Sequence, residues 1–326
     1  MAAFLVAPDS FKGTLSAKEV AEAIGRGVER VGGRVDLCPA ADGGEGTAEV
    51  LCDAMGGEWR TAQVHDPLGR PIGARFALVR DGATAIVEAA AASGLALVSE
   101  GERDPQAASS AGTGELIAAA IESGARRVLV AAGGTGTTDG GRGAIEALQG
   151  TDGARDATLE VLCDTSVPFE RAAEEFAGQK GASAEQVASL SSRLIALAGT
   201  LPRDPRGHAM TGAAGGLSGG LWAVFGARLV PGAAFVLGVI GFDARLDKTD
   251  AVITGEGRLD EQSFEGKLVG QVARRGREAR RPVHVIAGSN AFDEATVDRR
   301  GIASVREAGT LEAISDAAAL TADPAG

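Results

Sequence analysis

The feature that most constrains the fold of this chain is a regular alternation of short apolar runs with segments of helical period. Apolar runs at 4–7, 35–37, 127–131, 159–162, 252–254, 283–287 and 302–305 predict strands. Segments at 16–31, 46–55, 114–123, 141–148, 172–198 and 267–279 predict helices, and Ser16 and Glu19 have the spacing of a capping box. Strands that alternate with helices of this length favour parallel βαβ units with helices on both faces of a sheet.

One stretch departs from this alternation. Between 59 and 87, three apolar runs are separated by the turn signals Asp66-Pro67-Leu68-Gly69 and Asp81-Gly82, with no helical period between them. This pattern is typical of an antiparallel meander. Because the chain has 326 residues, enough for two domains of about 150 residues each, we assign the meander to a second domain.

The charge balance bears on the partners. The formal net charge is −12 and the pI is about 4.9, whereas binding to nucleic acid or to an anionic membrane needs a basic face. We therefore expect no nucleic-acid and no membrane partner, and an anionic substrate would be held by a few local cations. Cys38, Cys52 and Cys163 are too few and too scattered for a disulfide framework, so we expect reduced thiols and a cytoplasmic protein.

Two segments bear on export and membrane insertion. The N-terminus lacks a basic region and reaches Asp9 early, which disfavours a signal peptide. The apolar stretch 221–242 is interrupted by Arg228, Pro231 and several glycines, whereas a membrane-spanning helix needs about 20 continuous apolar residues. We predict a buried helix–turn–helix pair for this stretch.

Carboxylates, hydroxyls and glycines recur directly after the predicted strands, where open α/β sheets collect their ligands. The acidic set is Asp9, Asp42, Asp139, Asp164, Glu256 and Asp260. A kinase explains this surplus, because Mg²⁺ takes one or two carboxylates and another can orient or deprotonate the accepting hydroxyl. The cations that could neutralise phosphate or a substrate carboxylate are Lys12, Lys180, Arg258 and Lys267. The alternative for each loop is a simple helix cap or turn.

The segment 133–141, Gly-Gly-Thr-Gly-Thr-Thr-Asp-Gly-Gly, is the strongest candidate for a phosphate site. It leaves a predicted strand, offers backbone N–H groups on small residues and leads into a helix N-terminus. A second candidate, 112–115, also opens a helix. The chain contains neither a P-loop sequence nor the glycine fingerprint of dinucleotide-binding enzymes, which disfavours a nicotinamide-dependent dehydrogenase.

Eight motifs resemble the bacterial glycerate kinase family of the glycerate 2-kinase type. They run in order along the chain: APDSFKG at 7–13, ADGGEGT at 41–47, DPLGRP at 66–71, EAAAASGL at 88–95, GTGE at 112–115, GQKGA at 178–182, GAAGGL at 212–217 and TGEGRLD at 254–260. The resemblance implies an α/β fold with a discontinuous Rossmann/flavodoxin-like parallel sheet domain, residues 1–58 and 245–326, and a second α/β domain, 59–244, inserted in it.

The resemblance also implies transfer of the γ-phosphate of ATP, with Mg²⁺, to a hydroxyl of D-glycerate, giving 2-phosphoglycerate. From the loops and motifs together we assign catalytic roles to Asp9, Lys12, Asp42, Asp164 and Glu256. Substrate contacts are assigned to Ser10, Arg70, Lys180, Arg258, Asp260 and Lys267. Nucleotide contacts are assigned to Thr113, Glu115, Gly133, Gly134, Thr135, Gly136 and Asp139, and metal binding to Asp42 and Asp139. A homodimer is compatible with the sequence, which does not fix the oligomeric state.

The sequence departs from the family pattern in two loops. Thr135-Gly136-Thr137-Thr138 replaces a Ser-Ala-Thr-Asn segment, and Asp164-Thr165-Ser166-Val167-Pro168-Phe169 replaces an Asp-Val-x-Asn-Pro-Leu run, so an amide is missing in both places. The segment between Leu148 and Leu159 is also shorter than usual. These departures leave open a substrate-shifted or non-catalytic member of the family.

Overall fold

The computed structural model describes residues 2–11, 13–80 and 82–323. In chain order, its strands are β1 (Ala3–Val6), β2 (Arg34–Leu37), β3 (Glu58–His65), β4 (Pro71–Val79), β5 (Thr84–Glu88), β6 (Arg127–Ala131), β7 (Thr158–Cys163), β8 (Arg228–Pro231), β9 (Ala251–Glu256), β10 (Val283–Ala287) and β11 (Ser304–Glu307). The helices are α1 (Ala17–Arg30), α2 (Thr47–Met55), α3 (Ala90–Ser93), α4 (Ala111–Glu122), α5 (Arg142–Gln149), α6 (Ala172–Phe176), α7 (Ala184–Ala198), α8 (Leu217–Phe225), α9 (Gly232–Val239), α10 (Phe242–Leu246), α11 (Leu268–Glu278), α12 (Glu294–Arg299) and α13 (Leu311–Ala322).

The chain forms two compact units, 1–42 with 233–326, and 43–232. The sequence-based boundaries lay at 58/59 and 244/245. Helix α2 precedes the second sheet in the chain but packs on β4 and β5, so it groups with that sheet. Whether either division marks independently folding domains stays a prediction.

The first unit contains a five-stranded sheet of order β11-β10-β9-β1-β2, in which all neighbours are parallel. Numbered within the unit, this is the flavodoxin-like order 2-1-3-4-5, and its topological switch point lies between β1 and β9. The α/β class and this sheet type were predicted from the sequence and are confirmed.

Both faces of this sheet are covered because side chains along a strand point alternately to opposite faces. Phe4 and Val6 pack with apolar residues of α1 and α13, whereas Leu5 and Ala7 pack with residues of α9, α10 and α11. The predicted capping box of α1 is present: the hydroxyl of Ser16 accepts the N–H of Glu19 at 3.2 Å.

The second unit contains a six-stranded mixed sheet of order β3-β4-β5-β6-β7-β8. The predicted meander is confirmed, since β3, β4 and β5 pair antiparallel, and β5 to β8 then continue in parallel. Helices α4, α5 and α8 share one core with this sheet, in which Leu116, Leu148 and Leu221 pack with Val128 and Val130. Helices α6 and α7 form a smaller cluster of their own.

The prediction for 221–242 was wrong in one element. The stretch is helix, strand and helix, because β8 intervenes between α8 and α9 and pairs in parallel with β7. A strand of four residues with only Leu229 and Val230 as apolar side chains before a proline cannot be told from a turn by periodicity alone. Within the described residues, no helix combines the length and the apolar character needed to cross a membrane.

Candidate active site

The loops after β1, β2 and β9 meet at the carboxyl edge of the first sheet. The N–H of Asp9 donates to the carbonyl of Gly255 at 2.8 Å, and the N–H of Ala40 donates to that of Pro8 at 3.0 Å. The Asp9 carboxylate accepts the N–H of Ser10 at 2.7 Å, and both residues are buried. Asp9 and Ser10 therefore lie beside the switch point, where sheets of this type bind ligands.

Two further predicted acids belong to the same edge. Asp42 ends the loop that follows β2 and is 1% exposed. Glu256 is the last residue of β9, and its carbonyl accepts the N–H of Gly288 at 3.1 Å. The first unit thus brings three predicted catalytic carboxylates to one edge. Lys12 lies outside the described residues.

The predicted substrate-binding residues that follow β9 are more exposed. The Arg258 guanidinium pairs with Asp260 at 3.1 Å. Asp260 also caps the short 3₁₀ helix 261–264 by accepting the N–H of Gln262 at 3.0 Å. Lys267 is the N-cap residue of α11, and its side chain makes no capping hydrogen bond. Asp260 therefore has a structural role that accounts for its position.

In the second unit, residues 43–46, here called the Gly43–Gly46 loop, run across the carboxyl ends of β6 and β7. The N–H of Gly133 donates to the carbonyl of Gly43 at 3.2 Å. A Cβ on Gly133 would come within 2.5 Å of the Gly44 Cα and 2.9 Å of the Asp164 carboxylate. These contacts bring the first glycine of the predicted phosphate loop next to Asp164, and only glycine fits there.

The next residues of the predicted phosphate loop pair with the segment after α3. The N–H of Leu95 donates to the carbonyl of Gly134 at 3.0 Å, and the N–H of Gly136 donates to that of Ser93 at 2.8 Å. Gly134 has φ +77°, which a glycine adopts without strain. Thr135 lies between these two bonds and is 6% exposed. The loop is thereby held in one conformation beyond the end of β6.

Asp139 has the contacts of a helix cap. Its carboxylate accepts hydrogen bonds from the N–H of Ser110 at 2.9 Å and the Ser110 hydroxyl at 2.8 Å, and from the N–H groups of Gly141 at 3.0 Å and Gly143 at 3.1 Å. These bonds tie the starts of α4 and α5 together. They leave Asp139 little capacity for the metal and nucleotide contacts predicted for it. Among the described residues, no group of three or more His, Cys, Asp or Glu side chains is placed so that it could hold a metal ion.

Lys180 is buried at the same loop. It is 4% exposed, and its Nζ donates to the carbonyl of Thr137 at 2.5 Å. Burial lowers the pKa of the Lys180 ammonium to about 8, while the carboxylates of Asp139 and Asp164 act in the opposite direction. The second unit therefore gathers Gly133, Asp164 and Lys180 around one glycine-rich loop. The hydroxyls of Thr137 and Thr138 in this loop are buried without a hydrogen-bond partner and could still donate to a ligand or water.

Three predicted site residues are engaged elsewhere. The hydroxyl of Thr113 donates to that of Ser93 at 2.7 Å, and Thr113 is fully buried. Glu115 accepts the N–H of His65 at 2.8 Å. Arg70 pairs with its loop neighbour Asp66 at 2.5 Å and with Glu102 at 3.1 Å. Each of these interactions is sufficient to explain the residue structurally, and none involves the loop 133–136 directly.

One acid at the carboxyl edge was missed. Glu88 ends β5, and its carboxylate accepts the N–H of Ala48 at 2.7 Å, in the first turn of α2. Burial raises the pKa of the Glu88 carboxyl to about 7, and Glu45 and Glu49 act in the same direction. Position after a predicted strand, the signal that selected the other acids, could have found it.

Comparison with known proteins places the chain among kinases. The sequence profile of the glycerate kinase family matches residues 4–152 and 149–323. The chain belongs to the glycerate kinase family. It is 39% identical to glycerate kinase of Bacillus subtilis, over 91% of this chain and 88% of that protein. It is 37% identical to glycerate 2-kinase of Escherichia coli, over 92% and 89%.

A solved structure agrees with the family. The crystal structure from Salmonella typhimurium LT2 that is assigned to glycerate kinase 2 aligns with a TM-score of 0.79 at 33% identity, covering 98% of this chain and 97% of that one. The resemblance in the sequence motifs is thus confirmed, and the chain is a phosphotransferase with an alcohol group as acceptor. As a kinase it uses ATP, with a small molecule as the second substrate.

Proposed function

We propose that this glycerate kinase transfers the γ-phosphate of ATP to the 2-hydroxyl of D-glycerate, giving 2-phosphoglycerate and ADP. The observation that carries the proposal is the cluster of the 133–136 loop, Asp164 and Lys180 in the second unit. Backbone N–H groups, a cation and a carboxylate are the groups that phosphoryl transfer requires, since the protein mainly positions the reactants and offsets charge.

We assign the polyphosphate to the glycine-rich loop. Apart from those of Gly133, Gly136 and Gly140, which donate to backbone carbonyls, its N–H groups precede α5, whose N-terminus adds a favourable partial charge for phosphate. The buried hydroxyls of Thr137 and Thr138 add two donors. Lys180 would offset negative charge there, and its pKa of about 8 leaves most of it protonated at neutral pH. Thr113, Glu115 and Asp139 would support this loop through their own hydrogen bonds rather than touch nucleotide.

The acceptor hydroxyl needs a carboxylate to take its proton. As its oxygen attacks the γ-phosphorus, the bond from phosphorus to the β-phosphate oxygen breaks, ADP leaves, and the hydroxyl proton passes to the carboxylate. Asp9, Asp164 and Glu256 are the proposed candidates, each placed at or shortly after the carboxyl end of a strand. Ser10, Lys12, Arg258 and Lys267 are proposed to contact the carboxylate and hydroxyls of the acceptor.

A magnesium ion offsets phosphate charge in such reactions, and its two predicted ligands are Asp42 and Asp139. Asp42 is almost fully buried, and Mg²⁺ prefers carboxylate oxygens with phosphate and water as further ligands. Asp139 already accepts four hydrogen bonds. We therefore propose Asp42 as the protein ligand and Asp139 as a cap that fixes the loop.

The test is the reaction itself, followed by ADP release and by phosphorus NMR of the product. D-glycerate with MgATP should give 2-phosphoglycerate, and L-glycerate serves as the stereochemical control. Formation of 3-phosphoglycerate would refute the assigned hydroxyl while leaving the reaction class intact. If a panel of other small hydroxy acids is phosphorylated and D-glycerate is not, the altered loops 135–138 and 164–169 have shifted the substrate.

A further inference from the structure

The Gly43–Gly46 loop is anchored from one side by a single acidic side chain. The N-cap residue of α2, Gly46, has φ +89° and no side chain with which to cap the helix. Glu88, at the end of β5, takes over this function by accepting the N–H of Ala48 at 2.7 Å, and it also bonds the backbone of Gly46. The free N–H groups of the first helical turn are therefore satisfied from a neighbouring strand.

The same loop contacts the proposed phosphate site on its other side. The carbonyl of Gly43 accepts the N–H of Gly133, and a Cβ on Gly43 would lie 2.9 Å from the carbonyl oxygen of Leu162 in β7. Glu88, β6 and β7 thus hold one short loop between them. Since Asp42 directly precedes this loop, a shift of the loop would move a proposed metal ligand and the Gly133 contact together.

We infer that Glu88 is a positioning residue of the active site, whose carboxylate fixes the Gly43–Gly46 loop. This inference rests on the proposed function for its catalytic consequence. A carboxylate has two acceptor oxygens for the two backbone groups, and its charge suits the N-terminus of α2. Glu88 is largely enclosed but not fully buried, and because withdrawing a carboxylate from water is costly, stability alone does not explain an acid in this place.

The surroundings of Glu88 define its response to pH. The charged groups that act on it are both acidic, Glu45 in the loop and Glu49 in the first turn of α2. On the neighbouring strands and on α4, Arg75 lies over the ring of Trp59, Glu115 pairs with His65, and Arg127 pairs with Glu160. Asp53 on α2 and Glu122 on α4 are exposed. Burial and these like charges together raise its pKa to about 7.

The sign of the effect on stability follows from this shift. The folded state binds the proton of Glu88 more tightly than the unfolded state, whose pKa is near the ordinary 4.5. The resulting stabilisation is complete below about pH 4.5 and is lost as the pH rises to about 7. Above pH 7 the ionised carboxylate of Glu88 therefore makes the fold less stable than a neutral side chain would. The same ionised form is the one that best accepts the N–H groups that hold the Gly43–Gly46 loop.

Glu88→Gln separates function from stability. At pH 8 we expect kcat/KM for D-glycerate to fall by at least about tenfold, because the amide retains only one acceptor oxygen for two N–H groups. The melting temperature at pH 8 should equal or exceed that of the wild type. The wild-type decline of kcat/KM below about pH 7 should be absent in the variant. The inference would be overturned by a variant with wild-type kcat/KM, or by one whose kcat/KM still declines below about pH 7 as in the wild type. This decline is called the acid limb of the pH profile below.

Glu49→Gln is the matched variant on the same helix. It leaves the contact between Glu88 and Ala48 in place and removes one of the charges that raise the pKa of Glu88. We expect unchanged kcat/KM at pH 8 and an acid limb displaced to lower pH. If Glu88→Gln does not fold, this displacement decides the question, and an unmoved limb contradicts the inference.

A third measurement is independent of the reaction. Amide hydrogen exchange of residues 43–48 at pH 8 should be faster in Glu88→Gln than in the wild type, while that of α1 is unchanged. An enzyme that phosphorylates no glycerate but shows this local difference would refute the proposed function and retain the anchoring role of Glu88. An active enzyme whose amide exchange and pH profile are the same in Glu88→Gln and in the wild type would retain the proposed function and refute the anchoring role of Glu88.

Discussion

At the residue scale, burial determines the chemistry of Lys180. Its Nζ contacts the carbonyl of Thr137 at 2.5 Å, and only 4% of the residue is exposed. Burial disfavours the ammonium form, although Asp139 and Asp164 partly compensate, so its pKa is lowered to about 8. Under the proposed function, a cation in this position would offset phosphate charge at neutral pH and lose that ability under mildly alkaline conditions.

We therefore predict an alkaline limit on activity set by Lys180. Because its folded pKa lies below the ordinary 10.5, the charge disappears as the pH rises through about 8. In the wild type, kcat/KM for ATP should decrease by about tenfold per pH unit well above that value. Lys180→Arg, which stays charged, should remove this limb even if its absolute rate is lower. Initial rates between pH 6 and about 10 measure kcat/KM for ATP in the wild type and in Lys180→Arg. If the alkaline decrease persists in the arginine variant, another group is responsible for it.

A second prediction at this scale distinguishes catalytic carboxylates from structural ones. Asp42→Asn and Glu256→Gln should each lower kcat by on the order of 100-fold and change KM for D-glycerate much less, because they act mainly in the transition state. Asp53→Asn, an exposed acid on α2, is the control and should leave both constants unchanged. Wild-type kcat in both site variants would show that these acids serve the structure only.

At the scale of elements, the carboxyl ends of β5, β6 and β7 are joined by contacts that depend on glycine. Gly133 lies against Gly44 and Asp164 so closely that no side chain fits between them. Further along, Gly140 and Gly141 have φ +68° and +78° and lead into α5. A Cβ on Gly141 would lie 3.0 Å from the Leu217 Cα at the start of α8. The loop is therefore shaped by the helices and strands around it as much as by its own sequence.

Gly133→Ala tests this packing. The added Cβ would meet the Gly44 Cα at 2.5 Å, and overpacking of this kind costs about 1–3 kcal/mol of the free energy of unfolding. We expect a lower melting temperature and a weaker stabilisation by MgATP. Gly150→Ala is the control, because no atom lies within 4 Å of its added Cβ and its φ is −90°. Equal ATP affinity in both variants would mean that the loop does not bind nucleotide.

At the scale of the whole molecule, the two units have different sheet types but place their proposed site residues at the same end of their parallel strands. In each, the conspicuous acids and glycines follow parallel strands at their carboxyl ends. In the second unit the antiparallel hairpin β3–β4 extends a sheet whose remaining strands are parallel. The parallel parts of both sheets are thus the parts that contain the proposed site residues after β1, β6, β7 and β9.

Ligand binding should be visible in the stability of the whole chain. A ligand that binds only the folded state adds about 2.7 kcal/mol at 100 times its dissociation constant. MgATP should therefore raise the melting temperature, D-glycerate should add to the rise, and NAD should leave it unchanged. A shift with NAD and none with MgATP would contradict the nucleotide proposed for this site. Light scattering on the same samples measures the oligomeric state, which the sequence leaves open.

Local sequence pattern was sufficient to predict the α/β class, the meander, the strand-end position of most of the acids and the family. These features depend on local pattern: apolar period, turn residues and motifs that persist along the chain. Packing in three dimensions, by contrast, determines which strand-end carboxylates serve as helix caps. Asp139 and Asp260 both follow strands, yet their oxygens are occupied by backbone N–H groups far apart in sequence or in the next turn. The contact of Glu88 with Ala48 and the lowered pKa of Lys180 could not be predicted from the sequence. Both depend on burial and hydrogen-bond partners, which arise from packing between distant segments and are not encoded in any local pattern.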